Sequence, residues 1–156
     1  MQSARQHFDR KILAAIVALG VIFLAWVAWQ VGVQTWIPVS VRFDDVTIAA
    51  RVARSEQARV RGLSGTKSLS EGAGMLFVYE REDQWGIVMR DMRYAIDILW
   101  LDENKKVIHI VHRAEPSSYP KTVFKPKKPA KYVLELPAGA AREYGVTIGS
   151  RAEFEA

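Results

Sequence analysis

Apolar residues fall along this chain in two regimes. From Ile12 to Val33 they run together, 22 positions without Asp, Glu, Lys or Arg. From Val46 onward they come in short runs separated by turn residues, the signature of strands. Val46 to Val52 alternates, with Val46, Ile48, Ala50 and Val52 on one face, and predicts a half-buried strand. Ser55 caps a predicted short helix over 56–61 that Gly62 ends. Ser64 to Gly74, rich in Gly and Ser, reads as loop. Gly74 to Tyr79 is a compact apolar strand, followed by a charged turn, Glu80 to Asp83. Further strands are predicted at Trp85 to Met89, Ile96 to Leu101 and Val107 to Val111. The last two are joined by a hairpin turn over Asp102 to Lys105, in which Asn104 tolerates the left-handed conformation.

Ala114 to Lys131 holds four prolines and five lysines and is the longest irregular stretch. Beyond it, Lys131 to Leu136 reads as a strand and Pro137 to Tyr144 as a short helix stopped by Gly145. Val146 to Gly149 reads as a turn and Arg151 to Phe154 as a last strand. Many short strands with one or two short helices predict a mainly-β barrel or sandwich.

The long apolar run changes where such a domain sits. At 1.5 Å per residue it spans roughly 33 Å, enough for a hydrocarbon core of about 30 Å. Arg5, Arg10 and Lys11 precede it with Asp9 as the one acid, and basic residues stay on the cytoplasmic side. Trp26, Trp29 and Trp36 gather toward the far end, as interfacial rings do. The run exceeds a signal-peptide core and lacks an Ala-x-Ala cleavage site, so an uncleaved anchor is expected. The organisation expected is a cytoplasmic stub (1–11), a transmembrane signal anchor (12–33), a juxtamembrane linker (34–45) and an extracytoplasmic domain (46–156). Net charge is +5, from 22 basic and 17 acidic residues, which is not a nucleic-acid-binding balance. Cysteine is absent, excluding disulfides, thiolate metal sites and thiol nucleophiles.

Arg61-Gly-Leu63, Gly74-Met-Leu-Phe77, Met89-Arg-Asp-Met92, Ile96-Asp-Ile98 and Tyr132-Val-Leu-Glu-Leu-Pro-Ala-Gly139, with Gly145 and Gly149, stand in the order found in the DUF192 family. The outer domain resembles that family over roughly residues 46 to 155. The resemblance implies a compact sandwich or jelly-roll fold and no particular activity. Val88 departs from the family's common Trp, Arg90 from its Lys, and Ser150 from its Asp.

Candidate chemistry gathers around one segment. Asp97 interrupts the apolar strand Ile96 to Leu101, and a carboxylate there needs a partner, Arg90 or Arg93 being nearest in sequence. It reads either as an acid, base or ligand-holding group, or as a structural hydrogen-bonding group. Met89 to Arg93 is polar between apolar flanks and is expected to bulge or turn. Trp85, Arg90, Asp91, Tyr94 and Asp97 are the candidate ligand-binding set, suited to a small polar molecule such as a sugar.

Metal binding by Met75, Met89, Met92, His109 and His112 is disfavoured. An offset of three puts Met89 and Met92, and likewise the two histidines, on opposite faces of a strand. No cofactor or metal is expected. Serine-hydrolase, zinc-protease and phosphate-loop signatures are absent. Glu80, Glu82 and Asp83 read as a solvated turn rather than a glycosidase pair. Lys121, Lys125, Lys127, Lys128 and Lys131 read as a solvated loop or as a contact for anionic headgroups or wall polymer.

The expected function is a membrane-anchored binding or interaction module of the cell envelope, more plausibly non-catalytic than enzymatic. Its expected partners are the membrane and an envelope glycan, a small polar ligand or a membrane protein, with no nucleic acid. The alternatives are an envelope carbohydrate or peptide hydrolase using Asp97 or Asp91, and a structural accessory of a membrane complex.

Overall fold

Alternating strands with two apolar faces must be covered on both sides, and this chain does so with very little helix. A computed structural model describes residues 17–23 and 38–156. The chain divides into one unit up to Thr35 and another from Trp36 on. In the first, residues 17–23 are helical, and Val17, Leu19, Val21 and Ile22 are exposed. Most of the expected span at 12–33 and the whole stub at 1–11 lie outside the described residues. Among the described residues no helix is long and apolar enough to cross a membrane.

The second unit is built on six strands: β1 (Val39–Phe43), β2 (Val46–Ala53), β3 (Ala73–Asp83), β4 (Ile96–Leu101), β5 (Val107–Ala114) and β6 (Ala130–Pro137). They form one sheet in the order β1-β2-β3-β6-β4-β5. All neighbours are antiparallel except β2 and β3. That parallel pair is joined by a crossover containing α1 (Glu56–Arg61). Ser55 caps α1 by accepting from the Ala58 amide at 3.1 Å, and Gly62 ends it with φ +50°, as its sequence predicts.

The sheet is open, which corrects the expected barrel. Its edge strands β1 and β5 do not pair with each other. Instead the C-terminal segment reaches both edges through single bridges, Arg42 to Glu153 and Lys106 to Arg151. Ala152 and Phe154, alternating with those bridging residues, are buried. One face packs Val41, Ile48, Leu76, Leu99, Leu101 and Leu134 under this segment and α2 (Ala140–Glu143). The other face packs Met75, Phe77, Ile98, Trp100 and Val133 with Leu63, Ile87 and Met89 from the loops.

Other boundaries moved. Val39–Phe43, assigned to the linker, is a strand because it pairs with β2 across the Asp44-Asp45 turn. Glu80 to Asp83, assigned to a turn, extends β3. Trp85 to Met89 is not a strand; Ile87 alone bridges to Phe124, through two 2.9 Å hydrogen bonds. In the β4–β5 turn the left-handed residue is Lys105, not Asn104. Pro137 closes β6 rather than opening a helix, and α2 starts at Ala140.

Asp97 pins these parts together. It is fully buried on central strand β4. Its Oδ1 accepts from the Arg113 amide at 2.8 Å. Its Oδ2 accepts from the Gly139 and Ala141 amides, both at 3.0 Å. Opposite it the ladder slips: Ile96 faces Ala114 while Ile98 faces Val111, a bulge in which Arg113 takes φ +51°. One carboxylate thus satisfies the bulge and the turn into α2. Asp97→Ala strands three amides, one in a buried and two in part-buried bonds, and a fully buried one costs about 1–3 kcal/mol. The expected loss is about 3–5 kcal/mol, read as a lowered midpoint in urea unfolding.

Candidate functional site

Loop packing leaves a cavity on the sheet face opposite Asp97. Three parts surround it. Phe77 and Tyr79 of β3, Ile96 of β4 and Glu135 of β6 come from the sheet, Arg59 and Val60 from α1, and Trp85 to Arg90 from the β3–β4 loop. Its volume is about 470 Å³, within the range of small-molecule sites.

Each wall is fixed by polar ties. The Arg59 guanidinium donates to the Val78 carbonyl at 3.1 Å and also to the Arg54 carbonyl, fastening α1 across β3. Arg90 donates to the Val60 carbonyl at 3.1 Å, tying the loop back to α1. Ser64 Oγ donates to the Arg90 carbonyl at 2.8 Å, and the Gly65 amide to the Asp91 carbonyl at 2.9 Å. Trp100 Nε1 donates to the Trp85 carbonyl at 2.9 Å, so the backbone that presents the Trp85 ring is held from beneath. The ring itself stacks on Tyr79, centroids 4.0 Å apart and planes within 6°. Guanidinium carbons lie 4.9 Å from the Tyr79 centroid (Arg59) and 5.5 Å from the Trp85 centroid (Arg81).

Two polar groups in this lining lack what the rest of the domain supplies. Glu135 lies mid-strand, opposite Met75 on one side and Ile98 on the other, and is 4% exposed. Its Oε2 has no hydrogen-bond partner among the described residues, and neither has Trp85 Nε1. A buried polar group without a partner is costly, so each of the two calls for a physical explanation. Burial pushes the Glu135 carboxyl up to about 8, which makes it a neutral acid able to donate as well as accept. Burial also pushes the Tyr79 phenol up to about 12, against the lowering effect of Arg59, so it stays protonated.

Of the five residues singled out by sequence, Trp85 and Arg90 line this cavity. Asp91 is exposed in the turn that Met89 to Met92 forms, at φ +55°. Tyr94 shares a 2.6 Å hydrogen bond with Thr66 and is outside the lining. Asp97 faces the other side of the sheet, held by backbone amides and not by Arg90 or Arg93. His112 Nδ1 lies 3.7 Å from Asp97, whereas His109 packs against Trp100. Burial and nearby Lys127 lower the His109 pKa. Glu135, Arg59, Phe77 and Tyr79 went unremarked in the sequence. Glu135 had the same signal as Asp97, an acid between apolar residues of a predicted strand, here Leu134 and Leu136.

Fold and cavity define a class: a mainly-β domain on one open sheet, with a pocket between a short helix and a loop. The chain belongs to the DUF192 family, described as "Uncharacterized ACR", which matches residues 39–154. A UPF0127 protein of Pyrococcus furiosus is 36% identical over 63 residues, covering 40% of this chain and 50% of that protein. This chain therefore spans about half the length of that relative. A UPF0127 protein of Thermococcus sibiricus is 28% identical over 105 residues, covering 67% of this chain and 65% of its own. Two crystal structures share the fold. A proposed transcription regulator from Sinorhizobium meliloti superposes with a TM-score of 0.72 at 23% identity, covering 79% of this chain and 98% of that one. A protein of unknown function from Novosphingobium aromaticivorans does so with a TM-score of 0.70 at 25% identity, covering 78% and 89%.

Glu135 gives stability a pH dependence. Its pKa is about 8 folded against an ordinary 4.5, so between those values the folded chain holds a proton that the unfolded chain has released. This contribution is fully present below about pH 4.5 and is lost as pH rises to about 8. The slope is at most about 1.4 kcal/mol per pH unit. Urea unfolding at a series of pH values is expected to show that decline in the parent chain and a flatter profile in Glu135→Gln.

Proposed function

We propose that this protein is a non-catalytic binding module that takes a small ligand into the cavity between α1, the β3–β4 loop and the sheet. The observation behind this reading is that Glu135 and Trp85, each with a buried polar atom (Oε2 and Nε1) that has no partner among the described residues, line one preformed pocket. Asp97, one of the two acids of the hydrolytic reading, is fully buried and accepts from three backbone amides. That occupation counts against proton transfer by it.

The reading extends to location. The charge-free run 12–33, with basic residues before it, anchors the module in the cytoplasmic membrane, N-terminus inside and domain outside. Support comes from the helical, exposed and apolar residues 17–23. An envelope location makes glycans, wall fragments, amino acids and organic acids the ligand classes to try.

The test is a thermal-shift panel of those classes on the purified full-length chain. A ligand of this cavity raises Tm by linkage. The expected result is a stabilising compound whose effect disappears in both Trp85→Phe and Glu135→Leu, variants that delete the polar atoms and keep an aromatic ring and an aliphatic side chain in their places. A shift that survives both substitutions places the ligand elsewhere and sinks the proposal.

A further inference from the structure

The chemistry of the cavity narrows what enters it, provided the binding reading above holds. The charged groups of its lining other than Glu135 are three guanidinium groups (Arg59, Arg61, Arg90) against one carboxylate, Glu56. Trp85 Nε1 is a donor with no acceptor. Protonated Glu135 offers an O–H, so donors and positive charge are in surplus. Between these groups the lining is apolar, with Leu63, Ile87, Met89 and Ile96 buried there.

A sugar fits this pocket poorly. Stacking on a sugar uses a free aromatic face, and Tyr79 and Trp85 spend one face each on the other. Arg59 and Arg81 lie close over the same two rings. A cation would share the lining with three guanidinium groups.

We infer that the ligand is a small amphipathic monocarboxylate. Its carboxylate is received by the Glu135 O–H and the Trp85 N–H, in a lining that holds three arginines, and its apolar body lies against Leu63, Ile87 and Met89. A neutral acid donating to a carboxylate makes a strong, charge-assisted hydrogen bond, and the indole fills a second acceptor position. Binding then needs the proton on Glu135. The other titratable or charged groups of the lining are Tyr79 on β3, Glu56, Arg59 and Arg61 on α1, and Arg90 on the loop; β4 adds only apolar Ile96. The Tyr79 phenol keeps its proton to about pH 12, which leaves Glu135, at about 8, as the group that changes charge near neutrality.

Three probes of one shape separate the classes: 3-phenylpropanoate, 3-phenylpropanamide and 3-phenylpropylamine, titrated calorimetrically into the full-length chain at about pH 6 and about pH 9.5. The carboxylate is expected to bind at least about tenfold tighter than the amide and amine at the lower pH, and to weaken at least about tenfold at the higher. Glu135→Gln keeps a donor that does not ionise, so carboxylate binding in this variant is expected to persist at both pH values. Preference for the amide or amine, lost in Trp85→Phe, overturns the carboxylate assignment and leaves the cavity reading standing. Carboxylate binding that ignores pH and Trp85→Phe overturns the assignment too. Failure of all three probes, with another panel compound still dependent on Glu135 and Trp85, rejects the carboxylate alone. Failure of every compound rejects both.

Discussion

A sheet that is apolar on both faces demands two covers, and the α-helices packed beside it among the described residues, α1 and α2, have only six and four residues. Most of the architecture answers that demand. On one face the C-terminal segment runs from one sheet edge to the other and buries Ala152 and Phe154 beneath it. On the other, α1 and the β3–β4 loop lie over Phe77, Ile98 and Trp100. Irregular backbone makes a poor cover unless its amides and carbonyls are satisfied. Buried acceptors and arginine forks therefore hold both covers down. Asp97 does this from below for the turn into α2, and Arg59 and Arg90 do it from above for α1 and the loop.

The two buried acids of the sheet show how one residue type serves opposite ends. Asp97 and Glu135 both interrupt apolar strands and both lie almost wholly out of water. Asp97 is surrounded by amide donors and works as a fastening. Glu135 leaves its Oε2 without a partner among the described residues, stays protonated up to about pH 8, and lines a space large enough for a small molecule. The difference lies in which face each side chain takes and what covers that face. Retaining an unsatisfied acid at the centre of a core makes physical sense where something else supplies its partner.

Sequence patterning went a long way here because most signals were local. The Ser55 cap, the Gly62 stop, the alternation through β2 and the apolar run of β4 all appear where the residues place them. So does the need for Asp97 to find partners. Its actual partners were out of reach, because the Gly139 and Ala141 amides are more than forty residues away and arrive only when β6 lies beside β4. Trp85 to Met89 has strand composition but no partner strand, so it covers the sheet instead of joining it. Val39–Phe43 looked like a tether and became an edge strand for the opposite reason, a partner one tight turn away.

By itself the sequence determined the mainly-β character, the family, the positions of most strands, and a charge-free run with basic residues on one side. Each of these depends on periodicity, composition or adjacent residues. Tertiary structure alone decided that the sheet stays open, that Asp97 and Glu135 take opposite faces, and that Trp85, Arg59 and Glu135 share one cavity. Those outcomes depend on register and on loops meeting across long chain separations. A one-residue difference in register moves a side chain to the other face of a sheet, and no local pattern records which cover it will meet there.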